Sequence, residues 1–426
     1  KDINTMKILH YTLGFNPQRT GGLISYVNDI INEQVNQGNE VLALYPANQN
    51  VFFKRVKIKK INDDNHFIKF ELFNSLPLPL FGGISEPHLF MVNVGEEEYI
   101  KFLQEQKPDI IHVHSLMGLH LEFFKAARKL GIKIFFTSHD YFGLSPLPTF
   151  YYNGISFDKM NTNLAWNIMS ADALSVRKLR IFQSKYYSTI RHFMKKLNKN
   201  PKHKQYKEIS GISESIDFSF LREYYKQVFS YIDCFLFNSS ISKDVFEENL
   251  QYLKHFEIIH MSYSDIDVFD ISVGKGNRIG YIGPDEEYKG YFEFLELANR
   301  LKDTEYEFLT FGHYPNHFAP KHVHQNGRYL KNERRSVFEQ IDYLLVPSRW
   351  KETFGLIVVE AIQNGVTVIT SNNVGAKDLL PSKNIVNDIK EISEFSNFEK
   401  IVNANISKID KHVNVLLDTY IKYGEL

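Results

Sequence analysis

The sequence predicts an α/β protein of two Rossmann-like, doubly wound domains that face each other across a cleft. Three observations predict it. At 426 residues the chain is too long for one hydrophobic core, and two domains are the ordinary outcome. Strand-like apolar runs alternate with amphipathic helical runs up to about residue 140. The same alternation restarts near residue 278, and such a rhythm means a parallel sheet with helices on both faces.

In the first domain, placed at residues 1–262, Lys7–Leu13 (KILHYTL) reads as a buried strand. GGLISYVNDIINEQVNQG follows as an amphipathic helix ended by Gly38, and EVLALYP is the next strand. EEEYIKFLQEQKP is a helix stopped at Pro108, before the strand DIIHVHS. LHLEFFKAARKLG, closed by Gly131, leads into the strand KIFFTSHD. From about 141 to 230 the rhythm gives way to a Tyr- and Phe-rich, mostly helical stretch, expected to be an insertion. It resumes with IDCFLFNSS, ISKDVFEENLQ and HFEIIHMS. Residues 263–277 lack an apolar period and carry Gly274 and Gly276, so they are expected to link the domains. A second domain at 278–405 repeats the pattern in RIGYIG, YFEFLELANRLK, YEFLTFG, DYLLVPS, GLIVVEAIQNG and VTVITS. A C-terminal helix, 406–426, is expected to pack back on the first domain.

Composition narrows the function. A net formal charge of zero argues against a nucleic-acid partner, which needs a broad cationic face. The lone Cys234 cannot form an internal disulfide and reads as a small buried apolar side chain, in keeping with a reducing cytoplasm. No apolar run approaches the roughly 18 residues that cross a bilayer. The first residues lack the profile of a secretion signal, and Met6 reads as a natural start.

The segment PSRWKETFGLIVVEAIQNGVTVITSNNVGAKDLL carries the chemistry. It follows a predicted strand, opens a helix, and holds Glu352 and Glu360 with seven residues between them. Gly355 allows close backbone approach, and amides near Phe354, Gly355 and Leu356 would form a helix N-terminus suited to a diphosphate. Glu360, about one turn into the helix, can accept two hydrogen bonds from a ribose diol. A loop glutamate and a surface glutamate without a task would have the same spacing, but not the whole pattern of strand, Pro-Ser, Glu, Phe-Gly-Leu, Glu-Ala and Gly.

This pattern resembles the fourth family of retaining glycosyltransferases, whose fold is the two-domain GT-B type. The resemblance implies that Glu352 contacts the donor sugar and Glu360 the nucleotide ribose. GYIGPDEEYKGY resembles the strand end and Lys-Gly of that family, implying that Gly283 approaches the donor and Lys289 neutralises the departing diphosphate. Many members place an arginine directly after that glycine; here it is Pro284, and Arg349 is the candidate replacement. GFNPQRTGGLISYV resembles the family's first glycine-rich loop, implying that Gly21 and Gly22 bring amides to the donor phosphate and acceptor. TSHDY implies that His139 bonds a hydroxyl of the transferred sugar, with Asp140 beside it. VHQNGRYL places Arg328 and Tyr329 near the nucleobase. VGAKDLL has Asp378 where a glutamate is usual.

In the mechanism inferred for the family, the acceptor hydroxyl attacks on the face the diphosphate leaves, and a phosphate oxygen takes its proton. No cofactor is then expected beyond the nucleotide-sugar co-substrate. No metal is expected either: the Asp-x-Asp at Asp265 and Asp267 falls in the linker. His112 and His114, on one face of a strand, could with His139 imitate a hydrolase metal site, but such pairs belong to barrels rather than open sheets. The expected acceptor is a glycan or a lipid-linked molecule. The main alternative is a non-catalytic, glycosyltransferase-like subunit; an epimerase or phosphorylase on the same fold is another.

Residues Ser175–Lys204 hold ten cations and no acid, including Arg177, Lys178, Arg180, Lys185, Arg191, Lys195 and Lys196, with apolar side chains at helical spacing between them. A basic amphipathic helix suits an anionic membrane surface, and equally a protein partner or a solvated face. The expectation is a cytoplasmic protein, peripheral on the inner face of the membrane.

Overall fold

The structure, a computed structural model, describes residues 5–47, 55–62, 66–79, 82–183, 206–263, 276–401 and 406–425. Sixteen strands among them form two large sheets and one small one. The first sheet contains β1 (Lys7–Tyr11), β2 (Glu40–Pro46), β3 (Lys57–Ile61), β4 (Ile68–Phe73), β5 (Ile110–Val113), β6 (Lys133–Thr137), β9 (Cys234–Phe237) and β10 (Phe256–Ile258), in the order β10-β9-β6-β5-β1-β2-β4-β3. All neighbours run parallel except β3 and β4. The order reverses direction between β1 and β5, where doubly wound sheets bind ligands.

The second sheet contains β11 (Arg278–Ile282), β12 (Glu307–Phe311), β13 (Val323–Gln325), β14 (Tyr343–Val346), β15 (Thr367–Ser371) and β16 (Ile385–Val386). Its order is β13-β12-β11-β14-β15-β16, wholly parallel, with the reversal between β11 and β14. The central strands are apolar runs buried along their length, as β5 (IIHV) and β14 (YLLV) show, because helices cover both faces.

Two departures from the sequence reading stand out. The stretch between Pro46 and Glu97 shows no strand pattern in the sequence, yet it holds β3 and β4, an antiparallel pair at the sheet edge. β3 reads KIKKI and buries almost nothing, so it has no apolar signal. The insertion is less purely helical than expected. It contains the helices Asn163–Met169, Val176–Phe182 and Ser219–Ser230, but also a small antiparallel sheet of β7 (Tyr151–Tyr152) and β8 (Ile155–Ser156). Its aromatic side chains Tyr152, Trp166 and Tyr225 are buried in the first domain's core, which accounts for their number. In the Val176–Phe182 helix, Val176 and Leu179 face inward while Arg177 and Lys178 are exposed and Arg180 is half-buried. Lys185, Arg191, Lys195 and Lys196 lie outside the described residues, as does most of the linker with Asp265 and Asp267.

The C-terminal helix Ile409–Gly424 lies against the first domain. Its Val413, Leu416 and Tyr420 are buried, His412 Nε2 is 2.8 Å from the Tyr26 hydroxyl, and the Tyr420 hydroxyl is 2.6 Å from His112 Nδ1. Cys234 is buried in β9, where desolvation pushes its thiol up to about 12 and leaves it protonated.

Candidate active site in the interdomain cleft

Three loops at the carboxyl ends of second-sheet strands build one half of the site. After β11, a 3-10 turn (Glu287–Lys289) ends at Gly290, whose φ is +77°. A Cβ at Gly290 would overlap the carbonyl oxygen of Pro347, in the loop after β14. The glycine therefore lets the two loops touch, and the touch brings Lys289 Nζ to 2.6 Å from Glu352 Oε1. Ser348 Oγ donates to the other carboxylate oxygen, Oε2, at 2.5 Å. Glu352 is 9% exposed, and its backbone is clamped to the loop after β15: its N–H donates to Asn373 O and its carbonyl accepts from Gly375 N. Lys289 also sits 5.3 Å over the Trp350 ring and 6.0 Å over the Tyr288 ring, so its cation has one ionic and two aromatic neighbours.

Gly355, φ +98°, is the N-cap of the helix Leu356–Gln363. The first-turn amides of that helix, around Phe354, Gly355 and Leu356, have no intrahelical acceptor by geometry, and with the dipole they favour an anion. One turn on, Glu360 Oε1 lies 3.3 Å from Arg334 Nη1. The Tyr329 hydroxyl is pushed up to about 12 by burial and by the Glu360 charge. No motif in the sequence singles out Arg334, which opens the helix Arg334–Phe338; its guanidinium also lies over the Tyr263 ring. The sequence offered two adjacent arginines at a helix start and nothing to choose between them.

Two expected positions differ. Arg349 does not supply a free cation: its Nη1 is 2.6 Å from Glu287 Oε1 and 3.1 Å from Glu293 Oε1, so two carboxylates neutralise it. Arg328 is exposed and lies over the Tyr314 ring, while its neighbour Tyr329 turns toward Glu360. Gly283 directly follows β11, where its carbonyl accepts from His313 Nδ1 at 2.9 Å; the buried Nε2 of His313 has no partner among the described residues. No sequence signal marked His313.

The first domain supplies the opposite wall. Gly21, φ +127°, caps the helix Gly22–Asn36, and a Cβ on Gly22 would meet Leu356 Cδ1 at 3.8 Å. The first glycine loop thus faces the start of the Glu360 helix. His139 follows β6, and its carbonyl accepts from Thr353 Oγ1 at 2.9 Å, one residue from Glu352. Ser239 Oγ, after β9, donates to the Thr353 carbonyl at 2.7 Å. Gly375 packs where a Cβ would overlap both Thr353 O and Ser239 Oγ. Asp378 accepts from the backbone and hydroxyl of Ser240, at 2.7 and 2.6 Å. The shorter aspartate thus tethers one domain to the other.

Burial lowers His139 to about 3, so its imidazole is neutral at pH 7, and burial raises the Asp140 carboxyl to about 6. Behind His139 lies a buried group: His10 on β1, in register with His112 on β5, and His114 just beyond. One nitrogen from each of His10, His112 and His114 falls within metal-sharing distance of the others. All six ring nitrogens already have hydrogen-bond partners, so the cluster is satisfied as it stands.

Residues 267–397 match the family described as glycosyl transferases group 1, and residues 20–174 match glycosyltransferase family 4. The chain belongs to the family 4 type of glycosyltransferases. The two matched regions contain Lys289, Glu352 and Glu360 on one side, and Gly21, Gly22 and His139 on the other. A relative, an uncharacterized 42.6 kDa protein in the cps region of Klebsiella pneumoniae, is 23% identical over 333 residues, 76% of this chain and 74% of its own. Among solved structures, an α,α-trehalose-phosphate synthase (UDP-forming) from Burkholderia xenovorans, in complex with glucose-6-phosphate, is similar at a TM-score of 0.51 and 12% identity, covering 97% of this chain and 92% of that one. Anabaena HepE in complex with UDP-glucose is similar at a TM-score of 0.50 and 13% identity, over 98% and 92%. At such identities these likenesses establish the fold, which is that of a GT-B glycosyltransferase.

Proposed function

We propose that this glycosyltransferase moves a sugar, with retention of its anomeric configuration, from a nucleoside diphosphate sugar to a glycan or lipid-linked acceptor in capsular or envelope polysaccharide assembly. One observation carries the reading: the Lys289–Glu352 pair and Glu360 bracket a helix N-terminus that faces His139 across the cleft. The cps-region relative supports the polysaccharide setting.

In this reading Glu360 takes the ribose diol, exchanging the Arg334 contact for two hydroxyl donors. The diphosphate lies at the helix start. Lys289, held by Glu352 before the donor arrives, meets the charge that grows as the diphosphate leaves. Glu352, fixed by Ser348 and by its clamped backbone, contacts the donor sugar, and His139 bonds one of its hydroxyls. The acceptor hydroxyl attacks on the departing side, the C–O bond to the diphosphate breaks, and a phosphate oxygen receives the acceptor proton. No metal is assigned a part. With Pro284 after Gly283 and Arg349 neutralised, positive charge at the diphosphate rests on Lys289 and the helix. That scarcity is the one feature favouring the alternative, a glycosyltransferase-like subunit without activity.

A thermal-shift screen with uridine, guanosine and adenosine diphosphates, then hydrolysis of their sugars with UDP-glucose first, tests the reading. NMR of the product anomer tests retention. Stabilisation by one nucleotide with turnover of its sugar is expected; no binding and no hydrolysis across the panel would favour the subunit. The basic stretch Ser175–Lys204 is proposed to dock the protein on the inner face of the membrane. Co-sedimentation with anionic vesicles at low salt tests that, and absence of binding removes it.

A further inference from the structure

Four side chains run in a line from the interior of the first domain to the cleft. Gln34 Oε1 is 2.7 Å from His10 Nε2, His10 Nδ1 is 2.9 Å from His114 Nε2, and His114 Nδ1 is 3.2 Å from His139 Nε2. Gln34, His10 and His114 are at most 1% exposed, and the other nitrogen of His139, Nδ1, has no protein partner among the described residues. Beside this line the Tyr420 hydroxyl is 2.6 Å from His112 Nδ1 and His112 Nε2 is 2.7 Å from Thr137 Oγ1, while the buried Gln34 Nε2 makes no hydrogen bond among the described residues.

A neutral imidazole has one N–H and one lone pair, so it passes on the direction of any hydrogen bond it receives. With Gln34 Oε1 accepting, His10 must donate from Nε2 and accept at Nδ1. His114 must then donate from Nε2 and accept at Nδ1, and His139 must donate from Nε2. No ring in the line has freedom left. The amide is the only member with distinct donor and acceptor ends, and it is the acceptor end, Oε1, that meets His10.

We propose that Gln34 is a positioning residue which, through His10 and His114, holds His139 as its Nε2–H tautomer and presents Nδ1 to the cleft as a hydrogen-bond acceptor. At that point the site takes a hydroxyl, which can donate, and disfavours a carboxylate, which cannot. The selectivity for a neutral sugar rests on the donor-binding reading above; the tautomer does not.

The experiment is a long-range ¹H–¹⁵N correlation spectrum of the full chain with ¹⁵N-labelled histidine at pH 7, with His139→Gln to assign the signal. The expected result is a protonated Nε2 and a bare Nδ1 for His139. Gln34→Met, which removes the amide, should leave His10, His114 and His139 as tautomer mixtures. It should also lower kcat for donor hydrolysis about ten-fold, with KM little changed. Gln34→Glu, which keeps the acceptor facing His10 Nε2, should restore the His139 tautomer. A protonated Nδ1 on His139 in the unaltered chain would overturn the proposal, as would tautomers unmoved by Gln34→Met. The spectrum of the unaltered chain decides the order even if that variant does not fold. The expected tautomers without turnover of any nucleotide sugar would sink the functional reading and leave the relay standing.

Discussion

Lowering the pH from 7 to 5 should unfold the first domain far more readily, and the buried histidines give the size. Burial depresses His10 and His412 to about 4 and His139 to about 3, against an ordinary value of 6.5. The folded state then binds fewer protons than the unfolded one between these limits, so stability is complete above pH 6.5 and declines as pH falls toward 3–4. At pH 5 the unfolded chain has gained about 1.5 pH units of protonation free energy at each site, which is about 2 kcal/mol per histidine and about 6 for the three. His112 and His114 are lowered too and act in the same direction. Asp140 acts oppositely. Raised to about 6, it takes up its proton in the folded state first and returns roughly 1.4 kcal/mol by pH 5. The net loss, about 5 kcal/mol, rivals the whole stability of many domains. Urea unfolding followed by the fluorescence of Trp166, buried in the first domain, measures it. With a slope of about 2–3 kcal/mol per molar, the midpoint should fall by roughly 2 M. His412→Gln, which keeps a partner for the Tyr26 hydroxyl, should recover about 2 kcal/mol of that difference. Midpoints at pH 5 and 7 that agree within about 0.3 M would show that these imidazoles are not desolvated as the fold implies.

Glu352→Gln removes the countercharge of Lys289, so nucleoside diphosphate should bind as well or better by calorimetry while donor turnover falls about 100-fold. Glu360→Ala should weaken nucleotide binding about 10- to 100-fold, the worth of two hydrogen bonds to a charged acceptor, and titration with the free diphosphate checks this. Gly290→Ala should push the Lys289 turn away from Pro347; a shift near 1 Å at Lys289 would lower kcat about 100-fold, measured as initial rates beside a melting curve. Donor turnover should survive EDTA unchanged, and its loss with recovery on adding a divalent ion would contradict the metal-free reading.

The local signals in the sequence carried most of the architecture and half of the candidate site. β1, β5, β6 and β14 are buried along nearly their whole length, so each reads as a mostly apolar run. Glu352, Gly355 and Glu360 were legible because their chemistry sits within one loop and the first turns of one helix, where spacing alone sets geometry. β3 escaped because an exposed edge strand needs no apolar residues, and its KIKKI pattern is all surface.

The sequence by itself determined the buried central strands, that two sheets form, and which carboxylates flank the helix start, since these follow from short-range periodicity and turn chemistry. Only the tertiary structure decided that Glu287 and Glu293 consume Arg349, that Arg334 stands at Glu360, and that Gln34, His10 and His114 back His139. Those contacts join residues 25 to more than 100 positions apart in most cases, and a pairing between distant side chains is set by how helices and sheets pack, which no local pattern encodes.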